Sequence, residues 1–170
     1  MDRIWAPWRT GYIKRVGRKS SGCLFCRSLK SRGKNYVIAR NKYSFAMLNL
    51  FPYNNGHVMI SPKRHVGKLE ALNDKEIADI FNTLKQIIHL LNRVLKPEGY
   101  NIGINIGRCS GAGIPEHLHL HVVPRWKADT NFMPVLSNTK VISQSLDDLY
   151  NELKKEINPV RNTTQKADKK

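Results

Sequence analysis

At 170 residues, with 41% hydrophobic and 25% charged side chains, the chain has the size and make-up of one globular domain. No run approaches the roughly 20 apolar residues of a membrane span, the N-terminus Met1–Trp8 does not read as a signal peptide, and three cysteines are too few for a disulfide scaffold and suit a reducing compartment, the cytoplasm. The 29 Lys and Arg against 13 Asp and Glu give a net charge of +16, which attracts nucleic acid, acidic lipid or phosphorylated small molecules unless it is only a lysine-rich surface with basic ends.

Residues 1–22 hold aromatics, Pro7 and a basic stretch, and read as an irregular arm leading to Cys23. Strand patterns follow at Tyr36–Ala39 and Ser44–Leu50, with Asn41-Lys42 as the turn between them. Pro52-Tyr53-Asn54-Asn55-Gly56 is a strong turn signal. A third strand is predicted at His57–Ser61, stopped by Pro62. Asn73 with Glu76 three residues on forms a capping-box pattern. From there Ile77, Ile80, Phe81, Leu84, Ile87, Ile88, Leu91, Val94 and Leu95 make one apolar helical stripe, ended by Pro97 and Gly99. That helix is about 34 Å long, enough to cover a sheet.

Tyr100–Gly107 alternates, with Ile102, Ile104 and Ile106 on one face and Asn101, Gly103 and Asn105 on the other. Arg108–Pro115 is a glycine-rich loop, Glu116–Pro124 alternates again, and 125–142 reads as irregular or extended. A last helix is predicted over Leu146–Ile157, capped by Ser145. The polar, basic residues 158–170 are expected to be a disordered tail, leaving 1–157 as the domain. Hairpins separated by one long helix predict an α+β domain with an antiparallel sheet of about five strands.

The informative segment is Glu116-His117-Leu118-His119-Leu120-His121-Val122-Val123. A strand period of two puts His117, His119 and His121 on one face, and Leu118, Leu120 and Val122 on the core side. Three imidazoles in one space either hold a catalytic metal, or one attacks phosphorus while its neighbours steer phosphate oxygens. The glycine-rich loop upstream offers backbone N–H groups as an anion cradle, which favours phosphate. Only Glu116 is a nearby carboxylate, and it faces away from the histidines.

His117–Val123 meets the signature of the histidine triad superfamily in full, His-φ-His-φ-His-φ-φ with φ apolar. Phe45-Ala46-Met47-Leu48-Asn49, Gly56–Pro62, the long helix and Gly103–Gly113 fall in that family's order, so residues 23–126 resemble it. Trp5-Ala6-Pro7-Trp8-Arg9, Leu50–His57, Pro124-Arg125-Trp126 and Asp129-Thr130-Asn131-Phe132-Met133 look like the branch that includes diadenosine tetraphosphate phosphorylases and related hydrolases. The resemblance implies a nucleotidyl transferase or hydrolase acting on diadenosine tri- or tetraphosphate, with water or phosphate as acceptor. His119 would be the nucleophile and form a nucleotidyl-histidine intermediate, and His121 would contact the phosphate and help the leaving group depart. Asn105 and Ser110-Gly111-Ala112-Gly113 would hold phosphate oxygens, and Asn49 a ribose hydroxyl. The loop is one residue shorter than in some relatives and lacks their Gln-Ser pair. Trp126 is placed to stack on a base.

Cys23-x-x-Cys26 is half a tetrahedral zinc site, a redox pair, or two reduced thiols. A thioredoxin-like redox motif requires a βαβ pattern, which is absent. Resemblance to zinc-bearing members of the superfamily implies His65 and His117 as the other ligands of a structural zinc, with no catalytic metal required. His57 reads as a group beside the triad, and His89 as a surface or packing residue of the long helix. The superfamily also implies a homodimer formed through the long helix and a strand. Two other functions share features with this chain: a nucleoside phosphoramidase, and a zinc-containing nucleic-acid-binding or DNA-deadenylating protein.

Overall fold

The structure is a computed structural model that describes residues 22–31, 35–127, 129 and 141–157. The arm before Gly22, with Trp5–Arg9, the stretch 130–140, with Thr130–Met133, and the tail 158–170 lie outside the described residues. A five-stranded antiparallel sheet has the order β1-β2-β3-β5-β4, built from β1 (Val37–Arg40), β2 (Ser44–Leu48), β3 (Val58–Pro62), β4 (Gly99–Ile104) and β5 (Leu120–Arg125). Among the described residues three helices accompany it: α1 (Leu24–Lys30), α2 (Asp74–Val94) and α3 (Leu146–Ile157). The α+β expectation therefore holds, as do the long helix and the last helix.

One face of the sheet makes the main core. Ile38, Ala46, Leu48, Val58, Ile60, Leu120 and Val122 pack under Ile80, Leu84, Ile87, Leu90 and Leu91 of α2 and Leu149 and Leu153 of α3. On the opposite face Val37, Phe45, Met47 and Met59 pack under Phe25 of α1. Since α1 has only seven residues, it covers β1 to β3 and leaves the same face of β5 and β4 for other chemistry. The ladder pairs His121 with Met59 on one side and with Gly103 on the other.

The start of α2 follows the sequence pattern. Asn73 accepts from the Glu76 N–H at 3.0 Å, and the Glu76 carboxylate accepts from the Asn73 N–H at 3.1 Å. Buried Glu76 also accepts from Arg64 Nε at 2.8 Å and Nη2 at 2.7 Å. The Arg64 guanidinium holds the Glu76 carboxyl below its ordinary value of 4.5, outweighing the opposing effect of burial, and the Asn73 N–H assists. A lowered folded pKa adds stability above the ordinary pKa and loses it as pH falls through the folded value. Glu76→Gln is thus expected to cost about 1–2 kcal/mol at pH 7. The melting-temperature gap to the wild type should narrow below pH 4.5, and a gap independent of pH would show that the charge contributes nothing.

Two strands are shorter than the sequence pattern predicts. β5 begins at Leu120 rather than Glu116, so His117 and His119 precede it, and β4 ends at Ile104 rather than Gly107. The cause lies at Pro62, which ends β3 and has no N–H to offer a ladder. The regular β3–β5 pairing stops at Ile60↔Leu120. Beyond it, single bonds hold the chain: Ser61 Oγ donates to Leu118 O at 2.8 Å, Leu118 N to Val66 O at 2.7 Å, and His117 Nε2 to Pro62 O at 2.9 Å. Gly67 permits this approach, because a Cβ there would lie 2.6 Å from the Pro115 carbonyl. Helix α1 and the 3-10 turn at Leu69–Ala71 have no counterpart in the sequence reading.

Candidate functional site

The three histidines do not all face one space. His117 turns away toward the two cysteines, while His119 and His121 lie together with ring centroids 4.9 Å apart. All three rings are buried. The tautomers of His57, His119 and His121 follow from their partners. His119 donates Nδ1–H to the His117 carbonyl at 2.9 Å, which leaves the lone pair on Nε2. Burial pushes the His119 imidazole below its ordinary 6.5, against the weaker effect of that hydrogen bond, so it is neutral at pH 7. A neutral imidazole with an oriented lone pair is a competent nucleophile.

His57 Nδ1 receives two donors, the Tyr53 N–H at 3.1 Å and Asn49 Nδ2 at 3.2 Å. Asn49 is oriented for this because its Oδ1 already accepts from the Phe51 N–H at 2.9 Å. The His57 proton therefore sits on Nε2 and is donated to His121 Nδ1 at 2.9 Å. His121 in turn carries its proton on Nε2, which makes it a donor toward the site. Tyr53 lies over both rings, 4.6 Å from His57 and 5.7 Å from His121 between centroids. The turn that carries it requires Gly56, whose φ is +76° and whose Cβ would sit 2.5 Å from Leu95. His57 thus proves to be the group that sets the state of His121, and His89 is an exposed residue beside Arg93.

Cys23, Cys26, His65 and His117 converge as the resemblance implied, with ligand atoms all within 4.8 Å of one another. Donation from His117 Nε2 to Pro62 leaves a lone pair on Nδ1. It faces Cys23 Sγ at 3.2 Å, Cys26 Sγ at 3.6 Å and His65 Nδ1 at 3.2 Å, and Cys26 Sγ is 3.5 Å from His65. A tetrahedral zinc with ordinary Zn–S and Zn–N bonds gives ligand–ligand edges of about 3.3–3.8 Å. Burial pushes the Cys23 thiol up, a trend that a bound cation reverses by taking the thiolate. The donor set of two thiols and two imidazoles fits zinc.

The remaining expected residues lie at the ends of β4 and β5 and in the loop between them. Asn105 comes one step past the last pair, Ile104↔Leu120, at the level of His119. Gly107 and Gly111 take φ of +82° and +90° and shape the loop. Ser110 Oγ donates to the Ile106 and Gly107 carbonyls, both at 2.8 Å, so its hydroxyl ties the loop. Gly111 and Gly113 are half-buried and Ala112 is buried. Arg108 and Glu116 form an exposed ion pair at 3.4 Å across the loop's ends. Trp126 follows β5, and its N–H donates to Asp129 Oδ2 at 3.2 Å, which also accepts from Asn54 Nδ2 at 2.8 Å. Asp129 therefore joins the end of β5 to the turn below His57. The sequence reading missed Phe25, which the spacing could have flagged as the apolar residue between two ligands.

Comparison with known proteins agrees with this geometry. The HIT domain family matches residues 31–128. An AP-4-A phosphorylase of Mycobacterium tuberculosis is 37% identical over 156 residues, covering 87% of this chain and 80% of that protein. An asymmetrical bis(5'-nucleosyl)-tetraphosphatase of Schizosaccharomyces pombe is 38% identical over 93 residues, 55% of this chain and 50% of that one. A Zn-bound histidine triad family protein from Mycobacterium smegmatis shares the fold, with a TM-score of 0.65 and 23% identity over 80% of this chain and 93% of that one. With the triad, its supporting His57 and the sheet all in place, the chain belongs to the HIT domain family.

Proposed function

We propose that this protein cleaves diadenosine tetra- or triphosphate by nucleotidyl transfer through His119. The carrying observation is the pair of complementary tautomers, a lone pair on His119 Nε2 beside a proton on His121 Nε2. His119 Nε2 attacks the α-phosphorus, forming a P–N bond as the bond to the leaving polyphosphate oxygen breaks. That oxygen leaves as an anion, accepting a hydrogen bond from the His121 Nε2–H, and His57 holds the His121 ring in the tautomer that donates it. Water or inorganic phosphate then attacks the nucleotidyl-histidine, returning the imidazole. In this reading the amides of Ser110–Gly113 and Asn105 hold phosphate oxygens, Asn49 meets a ribose hydroxyl, and Trp126 stacks on a base.

The 37% identity to an AP-4-A phosphorylase supports phosphate as acceptor, and the likeness to a tetraphosphatase supports water. Incubation with diadenosine tetraphosphate, with and without phosphate, separates them by chromatography. ADP and ATP formed only with phosphate mark a phosphorylase, AMP and ATP without phosphate mark a hydrolase, and intact substrate in both tubes overturns the reading. Zinc at the Cys23, Cys26, His65 and His117 cluster would tie α1 to the strand that carries the triad. Cysteines set for a metal fit a reducing cytoplasm. Among the described residues no helix is long and apolar enough to cross a membrane. The domain boundary we favour remains 1–157.

A homodimer is supported by the edge strand β4, which pairs only with β5 among the described residues. Ile102 lies on the helix side of β4 and is 45% exposed, and on α2 Phe81 is 58% and Ile77 38% exposed. An open edge and exposed apolar side chains suit a second copy. Phe81→Lys with Ile102→Lys is expected to give a monomer in sedimentation, and a wild type that sediments as a monomer refutes the dimer.

A further inference from the structure

The turn of α1 that carries both cysteines also carries Phe25, and its ring links the metal-binding cluster to the nucleophile. Phe25 is fully buried. Its ring centroid is 4.8 Å from that of His119, tilted 36°, and 5.1 Å from that of His117, tilted 45°. The ring is therefore in contact with one ligand of the cluster and with the imidazole that attacks phosphorus. The other restraint on His119 comes from the cluster as well, because its Nδ1–H is anchored on the carbonyl of His117. One hydrogen bond leaves an imidazole free to rock about it, and a flat ring against its face limits that motion.

The helix that carries Phe25 is poorly fixed by its own chemistry. α1 has seven residues, its N-cap Cys23 makes no side-chain capping bond, and its first turn has no acidic residue. A helix so short is marginal without outside support, and ligation of Cys23 and Cys26 supplies that support across its first turn. We propose that Phe25 is a positioning residue that couples occupancy of the Cys23–Cys26–His65–His117 cluster to the orientation of His119. Resting on the nucleotidyl-transfer reading above, this gives the cluster a bearing on turnover without any contact to substrate.

The test crosses metal occupancy with Phe25→Leu, which keeps an apolar side chain but removes the flat ring. Both proteins are loaded with diamagnetic Zn²⁺ for turnover and NMR, with parallel Co²⁺ samples whose thiolate absorption reports occupancy, and are then treated with chelator. Turnover of diadenosine tetraphosphate and the NMR resonances of the His119 ring are followed together. Chelation should lower wild-type kcat about tenfold with KM nearly unchanged, in keeping with the sensitivity of attack geometry to small displacements, and should move the His119 resonances. Phe25→Leu should take up Co²⁺ normally, start with the lowered kcat, and respond to chelation far less than the wild type in both readouts. If it loses as much as the wild type on chelation, the coupling through Phe25 is wrong.

Should chelation unfold the wild type, the loaded enzymes decide. Phe25→Tyr, which keeps the ring face, should then retain His119 resonances and kcat near wild type while Phe25→Leu does not, and identical behaviour of the two overturns the proposal. Failure of the underlying reading has a different signature. Either the wild type takes up no Co²⁺, or His119→Ala still turns over.

Discussion

His119→Ala is expected to abolish turnover of diadenosine tetraphosphate, with kcat down by about 10³-fold or more. The substitution removes the only protein group in the proposed scheme that forms a bond to phosphorus. The loop amides and His121 remain and can still bind the polyphosphate, so KM should change far less than kcat. The ring is buried between Phe25 and His121, with centroids 4.8 and 4.9 Å away. Its removal opens a small cavity, at a cost of about 1–3 kcal/mol, which an intact fold detected by circular dichroism would show to be tolerable. Added imidazole should restore part of the activity, since it can enter the space and supply the missing nitrogen. A variant that keeps wild-type kcat would exclude His119 as nucleophile and leave direct attack by water as the chemistry.

The same geometry explains why His121 and His57 should be more forgiving. His121 donates a hydrogen bond to a leaving polyphosphate, a group that departs as an anion with less help than most, and one such donor to developing charge is worth about 10²–10³-fold. His57 acts one bond further away, through the 2.9 Å contact to His121. The ranking of damage, His119 before His121 before His57, therefore follows the order of the rings outward from phosphorus.

Much of this site could be read before any coordinates. The Asn73–Glu76 capping box and the apolar stripe of α2 are local signals, and local hydrogen bonds and periodicity carry them directly into the structure. The His-x-His-x-His run was equally visible, but its geometry was not. Strict alternation placed all three rings in one space, whereas Pro62 ends the β3–β5 ladder and frees His117 to turn toward the cysteines. That turn depends on a proline 55 positions away in sequence, which no strand pattern encodes. α1 was invisible for a related reason. Leu24–Lys30 is too short for its periodicity to stand out, and the contacts that hold it lie on β1, β2 and β3. The role of His57 required knowing which atoms meet, because the relay from the Tyr53 N–H to His121 is a statement about tautomers.

Loss of the metal-binding cluster should be the largest stability effect in the molecule. Four ligands from three separate stretches of chain, at Cys23 and Cys26, His65, and His117, meet at one point, so a cation there closes two long loops at once. Structural zinc contributes on the order of 10 kcal/mol in small peptides that fold around it. Here the sheet and α2 already form a core, so a loss of about 3–5 kcal/mol is expected for Cys23→Ser. The lone pair of His117 Nδ1 would then face the His65 ring at 3.2 Å with no cation between them, and the Cys26 sulfur would lose its cation. Thermal unfolding of wild type and Cys23→Ser, each with and without chelator, measures the effect. The wild type should carry one zinc per chain and melt far lower after chelation, while Cys23→Ser should melt low and ignore the chelator. A redox pair predicts the reverse, because a dithiol with no metal function loses little stability on conversion to serine and gives a wild type indifferent to chelation.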